Sequence, residues 1–140
     1  MTAKEYLGQA FISEGEIRVR QSELEAMRSA LHGRGINYEG IGGQPADNEL
    51  EKAICRVVDR EKELNREIVK LLALKNDISK AIRKVPSARH KELLVRRYLD
   101  FERWEHIAMH MGVEVRTIFY LHKNALGSFS RVNASLLKKK

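Results

Sequence analysis

Trp104-Glu105-His106-Ile107-Ala108-Met109-His110-Met111-Gly112-Val113-Glu114-Val115-Arg116-Thr117-Ile118-Phe119-Tyr120-Leu121-His122-Lys123 is the stretch on which the fold turns. It fits the helix-turn-helix frame position by position. Ile107, Met111, Val113, Ile118 and Leu121 fill the apolar slots, spaced so that two short helices can share one core. Ala108 stands where the two helices would cross closest and a larger side chain would collide. Gly112 stands at the turn, where a left-handed backbone angle costs glycine least. Upstream, Ser87 is placed to cap a helix running through Leu93, Leu94, Arg97, Tyr98 and Leu99 to about Asp100 and Phe101.

Charge gathers around this stretch. The chain of 140 residues has 26 Lys plus Arg against 19 Asp plus Glu, a net of +7. Residues 1–85 carry 15 basic and 14 acidic side chains, whereas residues 86–140 carry 11 and 5, so +6 of the excess lies in the C-terminal part. Pro86 biases Val85 away from helix and marks the expected boundary. Three expected segments follow: a helical part at 1–85, a helix-turn-helix module at 86–130 and a basic tail at 131–140. With 2 Pro and 9 Gly in the whole chain, collagen, proline-rich linkers and bulk disorder are excluded, and an all-α fold is expected.

A basic helix-turn-helix points to double-stranded DNA. The second helix of such a motif enters the major groove, and the residues facing away from its core are Glu114, Val115, Arg116, Thr117, Phe119, Tyr120 and Lys123. Arg116 is the expected base reader, because a guanidinium can donate two hydrogen bonds to guanine O6 and N7. Thr117 and Tyr120 are assigned to phosphate or a base edge, Lys123 to phosphate and Val115 to a thymine methyl. Phe119 is open between completing the core and lying on the sugar backbone. Arg96, Arg97 and Arg103 are candidate phosphate clamps, with a solvated face as the alternative.

From Leu50 to Val85, the residues Leu50, Ile54, Val57, Leu64, Ile68, Leu71, Ile78, Ile82 and Val85 hold one heptad frame, interrupted only by Glu61 and Lys75. Glu49, Arg56, Glu63, Lys70, Asp77 and Lys84 alternate in sign beside it. Asp47 is the expected N-cap of this helix, which would be roughly 58 Å long at about 1.5 Å per residue. So narrow a stripe needs a partner alongside it. Ala10, Ile17, Leu24 and Leu31 trace a weaker one between about Thr2 and His32, and a glycine-rich connector over 33–43 would join the two as a coiled-coil-like antiparallel hairpin. The first helix is the shorter, leaving part of the second stripe for the DNA-binding module or another subunit. Glu61 and Lys75 either lift their heads to water or set register and partner choice.

Ile107 to Leu126, with Ala108, Val113, Ile118, Leu121, Ala125 and Leu126 in place, resembles region 4 of bacterial sigma factors, the part that reads the promoter's upstream element. Leu94-Val95-Arg96-Arg97-Tyr98-Leu99, Trp104-Glu105-His106-Ile107-Ala108, Leu121-His122 and Ala125-Leu126, with the opening Met1-Thr2-Ala3-Lys4-Glu5-Tyr6-Leu7, are similar to small phage and prophage regulators of the ArpU type. The resemblance implies phage or prophage transcription control by a helical N-terminal part joined to a sigma region 4-like module. It also implies that base-reading side chains fall at Val115, Arg116, Phe119 and Tyr120. Residues 1–85 hold only Tyr6, Phe11 and Tyr38 as aromatics, so the promoter-melting part of a complete sigma factor is not expected. The helical part is expected to pair subunits as a homodimer or to contact another protein, RNA polymerase being the candidate.

Other classes fit less well. A phage terminase small subunit also joins a helix-turn-helix to oligomerising helices, and would bind DNA for packaging; a plain coiled-coil scaffold would have no DNA affinity. No enzyme, cofactor or metal is expected. The glycines lack the Gly-Lys-Ser/Thr of a phosphate loop, and His106 and His110 lack the Glu that a zincin places after its first histidine. Cys55, the sole cysteine, is expected in or beside the core. No apolar run approaches the roughly 18 residues of a membrane span, and no signal-like start precedes Lys4 and Glu5, so a cytoplasmic, nucleoid-associated protein of a bacterial host is expected.

Overall fold

In the computed structural model, residues 1–32 and 48–138 are described, and all of their regular structure is α-helical. The helices are α1 (Ala3–His32), α2 (Asn48–Arg83), α3 (Ala88–Tyr98), α4 (Trp104–Met111), α5 (Val115–Val132) and α6 (Ala134–Lys138). Among the described residues no helix is long and apolar enough to cross a membrane. The expected connector over 33–43 and the Asp47 cap lie outside the described residues.

The heptad stripes become the buried seams. Ala10, Ile17, Leu24 and Leu31 are buried along α1; Val57, Leu64, Leu71 and Ile78 are buried along α2, and Val85 just beyond its end. Ile54 and Ile68, at the other heptad position, are only half-buried, as expected where a two-helix seam is open on one flank. Cys55 is exposed, contrary to its expected place in or beside the core. Two i→i+3 bonds, from Lys84 N–H to Ala81 O and from Val85 N–H to Ile82 O, tighten the chain before Pro86.

The chain divides into two compact units, one of residues 14–70 and one of residues 1–13 with 71–140. This differs from a boundary at Pro86. Composition changes there, but burial does not: Ile78, Ala81, Ile82 and Val85 on one side and Leu93 and Leu94 on the other are all buried.

Within the 14–70 unit, Arg20 pairs with Glu67 at 3.7 Å and Arg28 with Glu61 at 2.6 Å. Partners descend along α2 as they ascend along α1, so these segments run antiparallel. Glu61 thus fills a seam position with its stem while its carboxylate accepts from Arg28 Nε and Nη2. Both side chains are more than a third exposed, so Arg28→Ala should cost at most about 1 kcal/mol. A denaturant midpoint shift above that range would mean the pair acts as a buried one.

The other unit is built on Phe129 of α5, which is fully buried with its ring 6.0 Å from that of Tyr6. Leu7, Ala10, Ile78, Ile82, Leu93, Leu94, Ile107, Ile118 and Ala125 complete the core. Asn133 closes α5: its buried amide donates to Ala81 O at 3.1 Å and Phe129 O at 3.2 Å. The Met1 ammonium donates to Leu137 O at 3.4 Å. Residues 131–138, expected as part of a basic tail, are helical apart from the Asn133 cap. They end α5, cap it and form α6.

Candidate nucleic-acid interface

Ser87 accepts from His90 N–H at 3.3 Å and starts α3, as its position predicts. Helix α4 ends in a Schellman turn. Gly112 takes φ 70° and ψ 32°, its N–H meets Met109 O at 3.3 Å, and Val113 N–H meets Ala108 O at 3.0 Å. A Cβ at Gly112 would meet nothing within 4 Å, so backbone angle and not space selects glycine here. Gly112→Ala should cost about 1 kcal/mol of left-handed strain, read as a lowered melting temperature. An unchanged melting temperature would show that the turn adopts another conformation in solution.

Of the apolar slots, Ile107 and Ile118 are fully buried with Ala108 beside them, while Met111, Val113 and Leu121 are half-buried. Ala125 and Phe129 extend the inward face of α5 beyond the motif. This fixes the opposite face. Arg116, Tyr120 and Lys123, separated by steps of four and three, share one side of the helix and are exposed together with Thr117 and Phe119; Val115 is half-buried. Among the described residues, Arg116 and Lys123 have no ion-pair partner. Phe119 is half-exposed and meets the Trp104 ring edge-on at 5.3 Å, so it lies at the rim instead of completing the core.

The three arginines before the motif differ. Arg96 is held by Glu92 at 2.9 Å and Glu102 at 3.2 Å, and its Nη1 lies 2.9 Å from His110 Nδ1. Hydrogen bonding to Glu92 and then Glu102 raises its already high pKa. Arg97 lies over the Trp104 ring at 4.4 Å and donates to Glu102 O at 3.0 Å. Arg103 is exposed just before α4. The expected clamp of three arginines is therefore not one set: Arg96 already has two carboxylates, Arg97 is stacked, and Arg103 faces solvent.

His122 was given no role by residue pattern. Its ring is buried on the inner face of α5, with Nε2 2.7 Å from Tyr98 Oη and the Trp104 ring edge-on at 4.7 Å. Burial, then the positive charges of Lys4 and Arg97, lowers its pKa to about 4. The ring is neutral at pH 7, and placing its proton on Nδ1 lets the tyrosine hydroxyl donate to Nε2. The spacing Ile118, His122, Ala125, Phe129 is the signal that puts this histidine on the apolar face.

No family model, curated protein or solved structure matches the chain.

Proposed function

We propose that the protein is a sequence-specific regulator of phage or prophage transcription, in which α4 and α5 act as a sigma region 4-like helix-turn-helix and α5 enters the major groove of double-stranded DNA. The observation that carries this is the exposed row of Arg116, Thr117, Tyr120 and Lys123 on a helix whose other face is locked by Ile118, Ala125 and Phe129. Such a helix presents its polar side chains in a fixed register, which base reading requires. The +6 of residues 86–140 supplies attraction to phosphate.

In this account Arg116 reads a base, Val115 touches a thymine methyl, and Thr117 and Tyr120 reach a base edge or phosphate. Lys123 and Arg103 contact phosphate, and Phe119 packs on the sugar backbone beside Trp104. Arg96, held by two carboxylates, and Arg97, stacked on Trp104, stiffen the approach to the reading helix in place of clamping the backbone. The α1–α2 segments form the helical hairpin that pairs subunits or meets RNA polymerase. No catalytic step, cofactor or metal is assigned, and the place of action is the host nucleoid in the bacterial cytoplasm. The protein acts on a polymerase that melts promoters by other means.

Selection of bound sequences from a random DNA pool tests this. An enriched site beside promoters is expected, and Arg116→Ala should reduce discrimination at one base position by roughly 1–3 kcal/mol. Equal binding of selected and random DNA would sink the proposal. Enrichment at a packaging origin would replace transcription control with a terminase-like role.

A further inference from the structure

A groove of about 250 Å³ opens between the first turns of α1 and the end of α3, lined by Lys4, Phe11, Ile12, Arg97, Tyr98 and Phe101. Its walls are unusual for a free surface: Phe11 and Ile12 are adjacent in sequence and each 63% exposed. Phe101 carries φ 56°, the one non-glycine positive φ among the described residues. An aromatic side chain there is strained and persists where its surroundings hold it. Phe101 is met across the groove by the Phe11 ring, edge-on at 5.7 Å, and from outside the groove lining by the Lys75 ammonium, 4.8 Å from its centroid.

We propose that this groove is a docking site for a segment of another protein that inserts an aliphatic or aromatic side chain between Phe11 and Phe101 and sets carboxylates against Lys4 and Arg97. Charge complementarity selects the occupant. The lining holds two cations and no carboxylate, and among the described residues Arg97 commits one hydrogen bond, to Glu102 O, leaving most of its donors available. Lys4 and Arg97 are also the cations that, after burial, lower the pKa of His122. DNA phosphate would satisfy the cations but leave the Phe11–Ile12 wall in water. At about 250 Å³ the groove is smaller than the roughly 300–1,000 Å³ of small-molecule sites and suits a side-chain anchor of a helix-in-groove contact. This site is separate from the α5 face and does not depend on its proposed role.

Panning a random-peptide display library against the full chain tests the site, followed by titration of the enriched peptide carrying a fluorophore. The expected peptides place Leu, Ile, Phe or Trp next to Asp or Glu. Phe11→Ser, Ile12→Ser and Lys4→Glu, all at exposed positions, should each weaken the peptide roughly tenfold or more, while Arg116→Ala leaves it unchanged. Lack of enrichment, peptides without acidic residues, or binding indifferent to both Phe11→Ser and Ile12→Ser would overturn the proposal. So would self-association that Phe11→Ser abolishes, or a Lys4→Glu effect confined to DNA affinity.

Discussion

A fragment of residues 86–140, which holds α3 to α6, is expected not to unfold cooperatively on its own. Its central residue Phe129 packs against Tyr6, and its Asn133 amide donates to Ala81 O. Leu7, Ile78, Ile82 and Val85 are essentially inaccessible to water. Each such side chain contributes roughly 1.5–3 kcal/mol by burial, so losing those four removes roughly 6–12 kcal/mol, comparable with the roughly 5–15 kcal/mol that holds an entire domain together. A variant that keeps 1–13 and 71–140, with a flexible Gly/Ser linker replacing 14–70, is expected to retain a single sharp thermal transition. Calorimetry on both decides the matter: a sharp transition from 86–140 alone would mean that Pro86 is the real boundary.

Acid should loosen the same core through His122. Its folded pKa is about 4 against an ordinary 6.5, so between these values the unfolded chain binds the proton and the folded chain does not. Stability therefore rises with pH across that window. It is complete above about pH 6.5 and falls by about 3 kcal/mol on acidification to about pH 4. The proton would also make Nε2 a donor, so the Tyr98 hydroxyl could no longer donate to it. His122→Gln keeps an acceptor for the tyrosine hydroxyl but cannot titrate. Denaturant unfolding at several pH values should give a distinctly shallower decline for the glutamine variant, and parallel declines for the two proteins would refute this origin of the acid sensitivity.

Features set by local periodicity and turn chemistry were legible in the residues alone. The heptad steps marked Ile17, Leu24, Val57 and Leu64 as seam residues, Ser87 marked a helix start, and Gly112 marked a left-handed turn. Arg116, Tyr120 and Lys123 were assigned outward from the same spacing. What escaped depends on contacts between distant segments. Glu92 lies one turn before Arg96 and could have been paired with it, but Glu102 and His110 reach Arg96 only because the chain folds back after α3. Composition changes sharply at Pro86, yet α2 continues its stripe past residue 71 into the core of Phe129, and the contacts of Tyr6 with Phe129 and of Asn133 with Ala81 reveal the connection. A charge count follows the chain, whereas a core follows buried surface.

The contact of the Met1 ammonium with Leu137, 136 residues apart, and of Tyr6 with Phe129, has a consequence in time. At ribosomal rates of roughly 5–20 residues per second, Tyr6 is made roughly 6–25 s before Phe129, its partner in α5. During that interval the apolar side chains of Tyr6, Leu7 and Ala10 stay uncovered by α5. The inward face of α5 is covered only when the segment around Tyr6 and the segment around Phe129 meet.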